Sequence, residues 1–346
     1  MKKIKINMYS EADKVEGQGV GSAYKEQVGI VKSIPEFDVT INGKKNNSYD
    51  IRHFHTVNPS FFFKIKKNRI NICYVHFIPV YDDGSLHMPK VAFKIYRWYV
   101  LKFYNKNDEL VVVNPYFINE LKKVGIDEKK VTYIPNYVSK DNFYKMKSED
   151  ISRAKDKYKI PKDKFVVLGV GQTQTRKGVL DFVEVAKKCK DMYFIWAGGF
   201  SFGKITAGYE EIKKAIDNPP SNCKFLGIIP RSEMNKIYNL ADVMFLPSYQ
   251  ELFPMTILEA VNLSTPLLLR NLELYEGILL NNYVSGTNND EFVDLLNKYK
   301  NNKEFYKKGQ DISKNISTYY GKENITKLWK DYYTKIYNKY PNKHAD

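Results

Sequence analysis

The chain has few cysteines and lacks any long apolar segment. Its three cysteines, Cys73, Cys189 and Cys223, are widely separated and form no Cys-x-x-Cys pair, which argues against a disulfide framework or a structural zinc site. No stretch approaches about 18 uncharged apolar residues, so no transmembrane helix is expected. The basic N-terminus never enters an apolar run of signal-peptide length and is expected to form a first strand. These absences favour a soluble or peripheral protein in a reducing, cytoplasmic compartment.

Internal repeats and Pro/Gly-rich tracts are also missing, which argues against solenoid folds and disordered regions. The 43% of hydrophobic and 27% of charged residues are typical of a globular protein. At 346 residues the chain is too long for one ordinary α/β core. This length therefore predicts two domains of about 150 residues each, with a cleft between them.

The charge of the chain is strongly positive, at +16, and it is unevenly distributed. Residues 1–160 hold 29 basic against 18 acidic residues, whereas the remainder holds 26 against 21. A basic first half indicates an anionic partner, which could be a nucleic acid, a phosphorylated ligand or an anionic membrane leaflet. The alternative interpretation is a lysine-rich surface that reflects an AT-biased genome.

Short apolar runs alternate with amphipathic stretches in both halves, the βαβ pattern of doubly wound parallel sheets. Strands are predicted at 5–8, 37–41, 51–54, 70–75, 109–113, 131–134, 165–170, 193–197, 223–228, 243–246 and 267–269. A turn-rich, charged stretch over 136–164 separates the halves. We expect an N-terminal domain over 1–150, a C-terminal domain over 151–315, and a long amphipathic helix over 316–339, within a last segment 316–346 that packs back on the first domain.

Two glycine-containing loops follow the first strand of each half. The loop 17–21 precedes a helix predicted to start near Ser22, and its glycines would let backbone N–H groups approach phosphate or sugar oxygens. The loop 171–178 leaves the carboxyl end of a strand, where ligands of doubly wound sheets bind. Arg176 and Lys177 then stand beside a helix N-terminus, an arrangement suited to a diphosphate. Solvated turn charges are the alternative.

The segment 248–260 follows the strand 243–246, and Pro254 suits the first turn of a helix. Glu251 is then expected at the tip of the loop and Glu259 within the helix. A carboxylate in an apolar stretch needs partners, and sugar hydroxyls are natural donors to it. Taken alone, two glutamates eight residues apart are a weak pattern that surface charges also produce.

Together, the Arg-Lys-Gly loop and the segment from Ser248 to Glu259 resemble the retaining family 4 glycosyltransferases, whose E-x7-E motif the two glutamates match. The resemblance implies a GT-B fold, in which two doubly wound domains face each other across a cleft. By position it assigns the ribose hydroxyls to Glu259, the transferred sugar to Glu251 and the diphosphate to Arg176 and Lys177. The same resemblance predicts further donor-binding residues, namely Gly19, Gly21, Gly171, Gly227, Ile228, Leu252 and Phe253.

The N-terminal segments 17–24, 74–79, 84–86 and 113–118 narrow this resemblance to bacterial transferases that add a second hexose to monoglucosyl-diacylglycerol. His76 then matches a histidine near the donor sugar and is included among the catalytic residues. His55 is expected to help shape the cleft. Two features depart from the family pattern, since Leu252 replaces a common glycine and the segment after Pro266 lacks the usual glycine-rich continuation.

A basic-aromatic stretch over 89–104 has the composition of an interfacial helix. Lys90, Lys94, Arg97 and Trp98 are its predicted membrane contacts, and the residues 61–69 add a second patch of phenylalanines and basic side chains. A buried helix with a lysine-bearing outer face is the alternative.

The resulting hypothesis is a retaining transferase that moves glucose or galactose from a UDP-sugar to a membrane glycolipid. It would act peripherally at the cytoplasmic face of the plasma membrane, without a tightly bound cofactor or a nucleic-acid partner. No Asp-x-Asp motif stands out, and metal dependence stays open. The alternatives are a family 4 enzyme with a soluble, wall or capsule glycan acceptor, a GT-B epimerase, and a non-catalytic polyanion-binding protein.

Overall fold

A computed structural model describes residues 2–12, 19–44, 48–76, 90–201, 203 and 206–344. The strands within these residues are β1 (Ile4–Tyr9), β2 (Phe37–Ile41), β3 (Ile51–Phe54), β4 (Ile70–Val75), β5 (Glu109–Val112), β6 (Val131–Tyr133), β7 (Phe165–Val170), β8 (Met192–Ala197), β9 (Cys223–Gly227), β10 (Val243–Leu246), β11 (Leu267–Arg270) and β12 (Val284–Gly286). Each of the predicted strands is present to within a residue or two, and the three-residue β12 was not predicted.

The α-helices of the described chain lie between and after these strands. They are α1 (Gly19–Lys32), α2 (Pro59–Phe62), α3 (Lys90–Lys106), α4 (Tyr116–Lys123), α5 (Ser148–Tyr158), α6 (Val179–Lys188), α7 (Tyr209–Asp217), α8 (Arg231–Asn239), α9 (Met255–Asn262), α10 (Asn289–Asn301), α11 (Lys303–Tyr319) and α12 (Lys322–Lys339). None of these helices is both long enough and apolar enough to cross a membrane.

The described chain forms two compact units. The first contains the described residues up to 137 together with 320–344, and the second contains 138–319. In the described part of each unit, six strands form one parallel sheet. The prediction of two doubly wound parallel-sheet domains is therefore confirmed.

The sheet of the first unit has the order β2-β1-β3-β4-β5-β6. Every residue of β3, β4 and β5 is buried, as expected for central parallel strands that are covered on both faces. The chain leaves β1 toward β2 on one side and continues from β3 toward β6 on the other. The switch point of this sheet thus lies between β1 and β3, where doubly wound sheets bind ligands at the carboxyl ends of their strands.

The sheet of the second unit has the order β12-β11-β10-β7-β8-β9, and its switch point lies between β7 and β10. Its core is strongly aromatic: Phe182 packs edge-on against Trp196 and stacks on Phe245, with ring centroids 5.1 and 5.8 Å away. Gly169 makes this packing possible, because a Cβ there would lie 2.4 Å from the Trp196 ring. Residues 166–170 of β7 are all buried, which fixes the strand from which a predicted ligand loop leaves.

The end of the chain differs from the single helix predicted over 316–339. Helix α11 ends at Tyr319, and α12 begins at Lys322 with Gly321 as its N-cap residue. Helix α12 belongs to the first unit, where it packs against α1. Within that unit Trp329 and Tyr333 of α12 stack on each other at 5.3 Å. The aromatic periodicity continues across Gly321, which is why the break was missed.

Candidate active site

The two loops with predicted donor-binding residues leave the second sheet at its switch point. Residues 171–178 follow β7 and residues 247–254 follow β10, and these two strands are parallel neighbours. The loops touch backbone to backbone, since a Cβ on Gly178 would lie 2.3 Å from the Pro247 carbonyl oxygen and the φ of this glycine is +68°. Loops so close at a switch point form the expected place for a ligand of this unit.

A buried ion pair joins these loops. The Lys177 Nζ atom lies 2.5 Å from Oε1 of Glu251, and the two side chains are 13% and 5% exposed. Burial lowers the pKa of Lys177, and the carboxylate of Glu251 opposes that shift. Two of the residues predicted to act on the donor are therefore in contact, and each is the other's charge partner.

Arg176 ties the same loops together through further hydrogen bonds. Its Nε donates to Oε1 of Gln174 at 3.0 Å, and its Nη1 donates to the carbonyl oxygen of Gln250 at 3.3 Å. The Tyr249 N–H donates to the Arg176 carbonyl oxygen at 2.7 Å. The guanidinium thus lies beside the Lys177–Glu251 pair, next to the N-terminus of α6. A fixed cationic group and a helix dipole at one point favour an anion.

Glu259 lies on α9 and is only 2% exposed. Its Oε1 accepts a hydrogen bond from Arg231, with which it forms an ion pair, and its Oε2 accepts one from the Tyr238 hydroxyl at 2.5 Å. Burial, together with the charge of Glu259, raises the pKa of Tyr238 well above its ordinary value, so this hydroxyl remains a donor. The predicted need of this carboxylate for partners is thus met inside the unit.

The remaining predicted donor residues of this unit lie at the carboxyl ends of the strands. The Gly171 N–H donates to the Ala197 carbonyl oxygen at 3.0 Å, and the Gly198 N–H donates to Gly227 at 2.8 Å. Ile228 follows β9 and is 48% exposed. The two residues after Glu251 differ from each other, since Leu252 is partly buried and Phe253 is 3% exposed. Gly171 and Gly227 therefore lie along one edge of the sheet.

The first unit places its predicted residues near its own switch point. Helix α1 begins at Gly19, three residues before the predicted start, so Gly19 and Gly21 lie in its first turn. Residues 17–18 and 77–79, which belong to the motifs quoted above, are outside the described residues, as are 84–86. His55 directly follows β3, and His76 directly follows β4.

Three histidines of this unit, His53, His55 and His76, form an aromatic cluster in which the first two are fully buried. The rings of His53 and His55 are 4.4 Å apart, those of His55 and His76 are 6.2 Å apart, and the hydroxyl of Tyr333 lies 2.6 Å from Nδ1 of His53. Burial lowers the pKa of His53 to about 3 and that of His76 to about 4, and it holds the pKa of His55 well below its usual range. All three rings are therefore neutral at pH 7. Tyr24 of α1 packs edge-on against His55 at 4.8 Å.

The sequence analysis missed three residues that support the site. Arg231 and Tyr238 of α8 hold Glu259, and Arg270 at the end of β11 donates to the carbonyl oxygens of Pro247 and Thr287. Arg270 also forms an ion pair with Asp181 of α6 at 3.0 Å. An arginine at the end of an otherwise apolar strand was the available signal for Arg270, whereas nothing local links Arg231 to a glutamate 28 residues away.

Comparison with known proteins identifies the class of protein that this fold and site define. Residues 150–317 match the family described as "Glycosyl transferases group 1", and residues 39–142 match "Glycosyltransferase Family 4". The chain belongs to this glycosyltransferase family, because it is also 41% identical to a member over 337 residues. The resemblance predicted from the sequence is confirmed.

That member is the alpha-galactosylglucosyldiacylglycerol synthase of Streptococcus pneumoniae, and the match covers 96% of this chain and 90% of the relative. The processive diacylglycerol alpha-glucosyltransferase of Acholeplasma laidlawii is 25% identical, over 85% of this chain and 88% of that one.

Solved structures share the fold. Anabaena HepE in complex with UDP and glucose superposes with a TM-score of 0.74 at 14% identity, covering 96% of this chain and 99% of that chain. Sucrose-phosphate synthase from Thermosynechococcus elongatus has a TM-score of 0.76 at 14% identity, covering 97% and 100%. The fold is therefore GT-B, as predicted.

Proposed function

We propose that this glycosyltransferase moves glucose or galactose from a UDP-sugar to monoglucosyl-diacylglycerol, with retention of the α configuration. The observation that carries the proposal is the 41% identity, over 96% of the chain, to a synthase whose name describes a diglycosyl-diacylglycerol product. The UDP part of the donor is supported by a structural neighbour that holds UDP and glucose on the same fold.

In this proposal Glu259 binds the ribose of the nucleotide. A carboxylate offers about four acceptor positions, and Arg231 and Tyr238 occupy two of those of Glu259. The two ribose hydroxyls can donate to the others. Because Arg231 and Tyr238 fix the carboxylate, it is oriented before the nucleotide arrives.

Arg176 and Lys177 bind the diphosphate in the same proposal, and Glu251 contacts the transferred hexose. The acceptor hydroxyl attacks from the face that the nucleotide leaves, and negative charge develops on the departing diphosphate. Two cations and the N-terminus of α6 stabilise that charge in a partly buried setting, where electrostatic interactions are stronger than in water. The assignments of Gly19, Gly21 and His76 to the donor stay predictions.

The lipid acceptor is supported by a basic-aromatic surface on the first unit, formed by α3 and the exposed members of the predicted patch 61–69. Phe61 and Arg69 of that patch are buried instead. Val91, Ile95 and Trp98 follow each other at helical spacing on α3 and are 71%, 63% and 60% exposed, and Phe63 is 73% exposed. Apolar side chains of this size are seldom so exposed side by side unless they meet a partner or a membrane. Lys90 belongs to α3, although its side chain is outside the described residues.

Cationic groups surround these apolar side chains. Lys94 is exposed and Arg97 partly buried on α3, and the Nζ of Lys102 lies 4.7 Å from the ring centroid of Trp98. Burial, and to a smaller extent the charges of Lys66 and Lys102, lowers the pKa of Lys106. This combination suits peripheral attachment to anionic lipids at the cytoplasmic face of the plasma membrane.

The decisive experiment combines the enzyme with UDP-glucose or UDP-galactose and monoglucosyl-diacylglycerol in anionic vesicles, with mass spectrometry of the lipids. We expect a dihexosyl lipid from one of the two donors. Arg176→Ala should reduce turnover by about 10²-fold or more, the usual effect of losing a group that stabilises transition-state charge. Undiminished turnover in this variant would remove its role with the leaving group.

The membrane part of the proposal needs a separate test. The double variant Ile95→Ser, Trp98→Ser should sediment less with anionic vesicles and lose activity on vesicle-bound acceptor. Tyr319→Ser, which changes a 46% exposed aromatic side chain of the second unit, serves as the matched control. Equal sedimentation of all three proteins, or activity that ignores vesicles, would favour a soluble glycan acceptor.

A further inference from the structure

Two buried hydroxyl groups near Glu251 have no role in the proposed mechanism. Tyr275 and Ser248 are fully buried, and neither hydroxyl has a hydrogen-bond partner among the described residues. Buried hydroxyls are normally paired, because an unpaired one loses its contacts with water without compensation. A buried hydroxyl without a partner therefore points to a hydrogen bond that it forms when a ligand binds at the site.

Both hydroxyls come from segments that leave neighbouring strands. Ser248 stands three residues before Glu251 in the loop after β10. Tyr275 ends the short 3₁₀ helix Glu273–Tyr275 after β11, which pairs with β10. Burial and the negative charge of Glu251 raise the pKa of Tyr275 well above its ordinary value, so the hydroxyl keeps its proton and remains a donor. The segment that carries Tyr275 is also where the chain lacks the family's glycine-rich continuation.

Donor binding would change the partners of Glu251. Its carboxylate is held by Lys177 at 2.5 Å, in a pair that is almost completely buried. If a bound UDP-hexose draws Lys177 to its diphosphate and Glu251 to its sugar, the buried carboxylate is separated from its counter-charge, which is unfavourable unless other donors replace it. Sugar hydroxyls supply some of these donors from the ligand. The protein itself can supply another only from a nearby group that is not yet engaged.

We propose that Tyr275 is a positioning residue for the donor hexose, whose hydroxyl donates to Glu251 when a bound UDP-hexose separates that carboxylate from Lys177. The carboxylate is then held from the protein side while it accepts hydrogen bonds from the sugar. UDP has no hexose to engage Glu251 and leaves the pair in place. Ser248 lies on the same loop as Glu251 and is a second donor of this kind. This inference rests on the proposed function, because it requires a UDP-hexose at the site.

The test compares Tyr275→Phe with Tyr299→Phe. Tyr299 is a buried tyrosine whose hydroxyl already donates to the Leu267 carbonyl oxygen of β11 at 2.9 Å, so it is a matched control. Thermal unfolding is measured for each full-length variant, and calorimetry gives the Kd of UDP, UDP-glucose and UDP-galactose without any acceptor. A hydrogen bond to a carboxylate is strong enough that its loss should weaken UDP-hexose binding about tenfold.

For Tyr275→Phe we expect an unchanged or higher unfolding temperature, an unchanged Kd for UDP, and about tenfold weaker binding of the UDP-hexose. Tyr299→Phe should instead unfold at a lower temperature and bind the UDP-hexose normally. The inference is wrong if Tyr275→Phe binds UDP-hexose as the wild type does, weakens UDP equally, or unfolds as early as the control.

The same measurements separate this inference from the proposed function. If the wild-type enzyme binds a UDP-hexose more tightly than UDP but glycosylates no diacylglycerol lipid, the proposed lipid acceptor is wrong. The role of Tyr275 is then decided by the binding test alone. A wild-type enzyme that binds UDP but no UDP-hexose overturns the role of Tyr275.

Discussion

Mild acid should destabilise this protein through the buried histidines of its first unit. His53 is fully buried, and its ring packs against those of His55 and Tyr333. Burial lowers its pKa from an ordinary 6.5 to about 3. Between these two values the unfolded chain binds a proton that the folded chain does not bind. The free energy of unfolding must then decrease as the pH falls below about 6.5.

The size of the effect follows from the two pKa values. For each such group, every pH unit below the pKa of the unfolded chain lowers the free energy of unfolding by about 1.4 kcal/mol. At pH 5, His53 alone should therefore reduce stability by about 2 kcal/mol relative to pH 7. His55 is equally buried and has a depressed pKa, so it acts in the same direction. Unfolded Asp and Glu side chains are still mostly ionised at pH 5, so carboxylates contribute little in this window.

The assay is urea denaturation at pH 7 and pH 5, followed by tryptophan fluorescence, since the Trp329 ring packs 5.8 Å from that of His53. His53→Gln should be less stable than the wild type at pH 7, but its stability should fall about 2 kcal/mol less on going to pH 5. An identical loss in His53→Gln and the wild type would refute the reasoning.

Further predictions concern the backbone and one buried cation. Gly198→Ala should cost about 3 kcal/mol, because the φ of this residue is +141° and a Cβ would lie 1.9 Å from the Gly171 carbonyl oxygen. Gly29→Ala on α1 meets no atom within 4 Å and should instead stabilise by about 0.5–1 kcal/mol. Arg270→Ala should cost about 3 kcal/mol, since it removes three hydrogen bonds and leaves Asp181 without its ion-pair partner. Urea denaturation measures all three, and a neutral Gly198→Ala or a destabilised Gly29→Ala would contradict the respective packing argument.

The strands could be read from the sequence because buried parallel strands are continuous apolar runs, as β7 and β10 illustrate. The adjacency of the loops after β7 and β10 also followed, since loops after neighbouring strands meet at a switch point. The pairing of Lys177 with Glu251 did not follow, because it depends on side-chain directions across two loops. Likewise, Arg231 reaches Glu259 only through the packing of α8 and α9, which leaves no periodic signal.

The predicted boundaries of helices were wrong where the residue pattern did not change at the end of the helix. Apolar and aromatic residues recur at helical spacing on both sides of Gly321, so periodicity alone joins α11 to α12. The start of helix α1 was predicted three residues too late, at Ser22. Gly19 and Gly21 were interpreted as loop residues, although both occupy the first turn of the helix. Strand β12 has a serine and a glycine among its three residues, so no apolar run marks it.

The return of α12 to the first unit has a consequence for biosynthesis. The aromatic core around Trp329 and Tyr333 is closed by residues that follow the whole second unit in sequence. On the ribosome, residues 138–319 can complete their fold while the first unit still lacks its last helix. The first segment to be synthesised is thus among the last to be finished, and any shortened chain that ends before residue 320 would expose the apolar face of α1 that α12 covers.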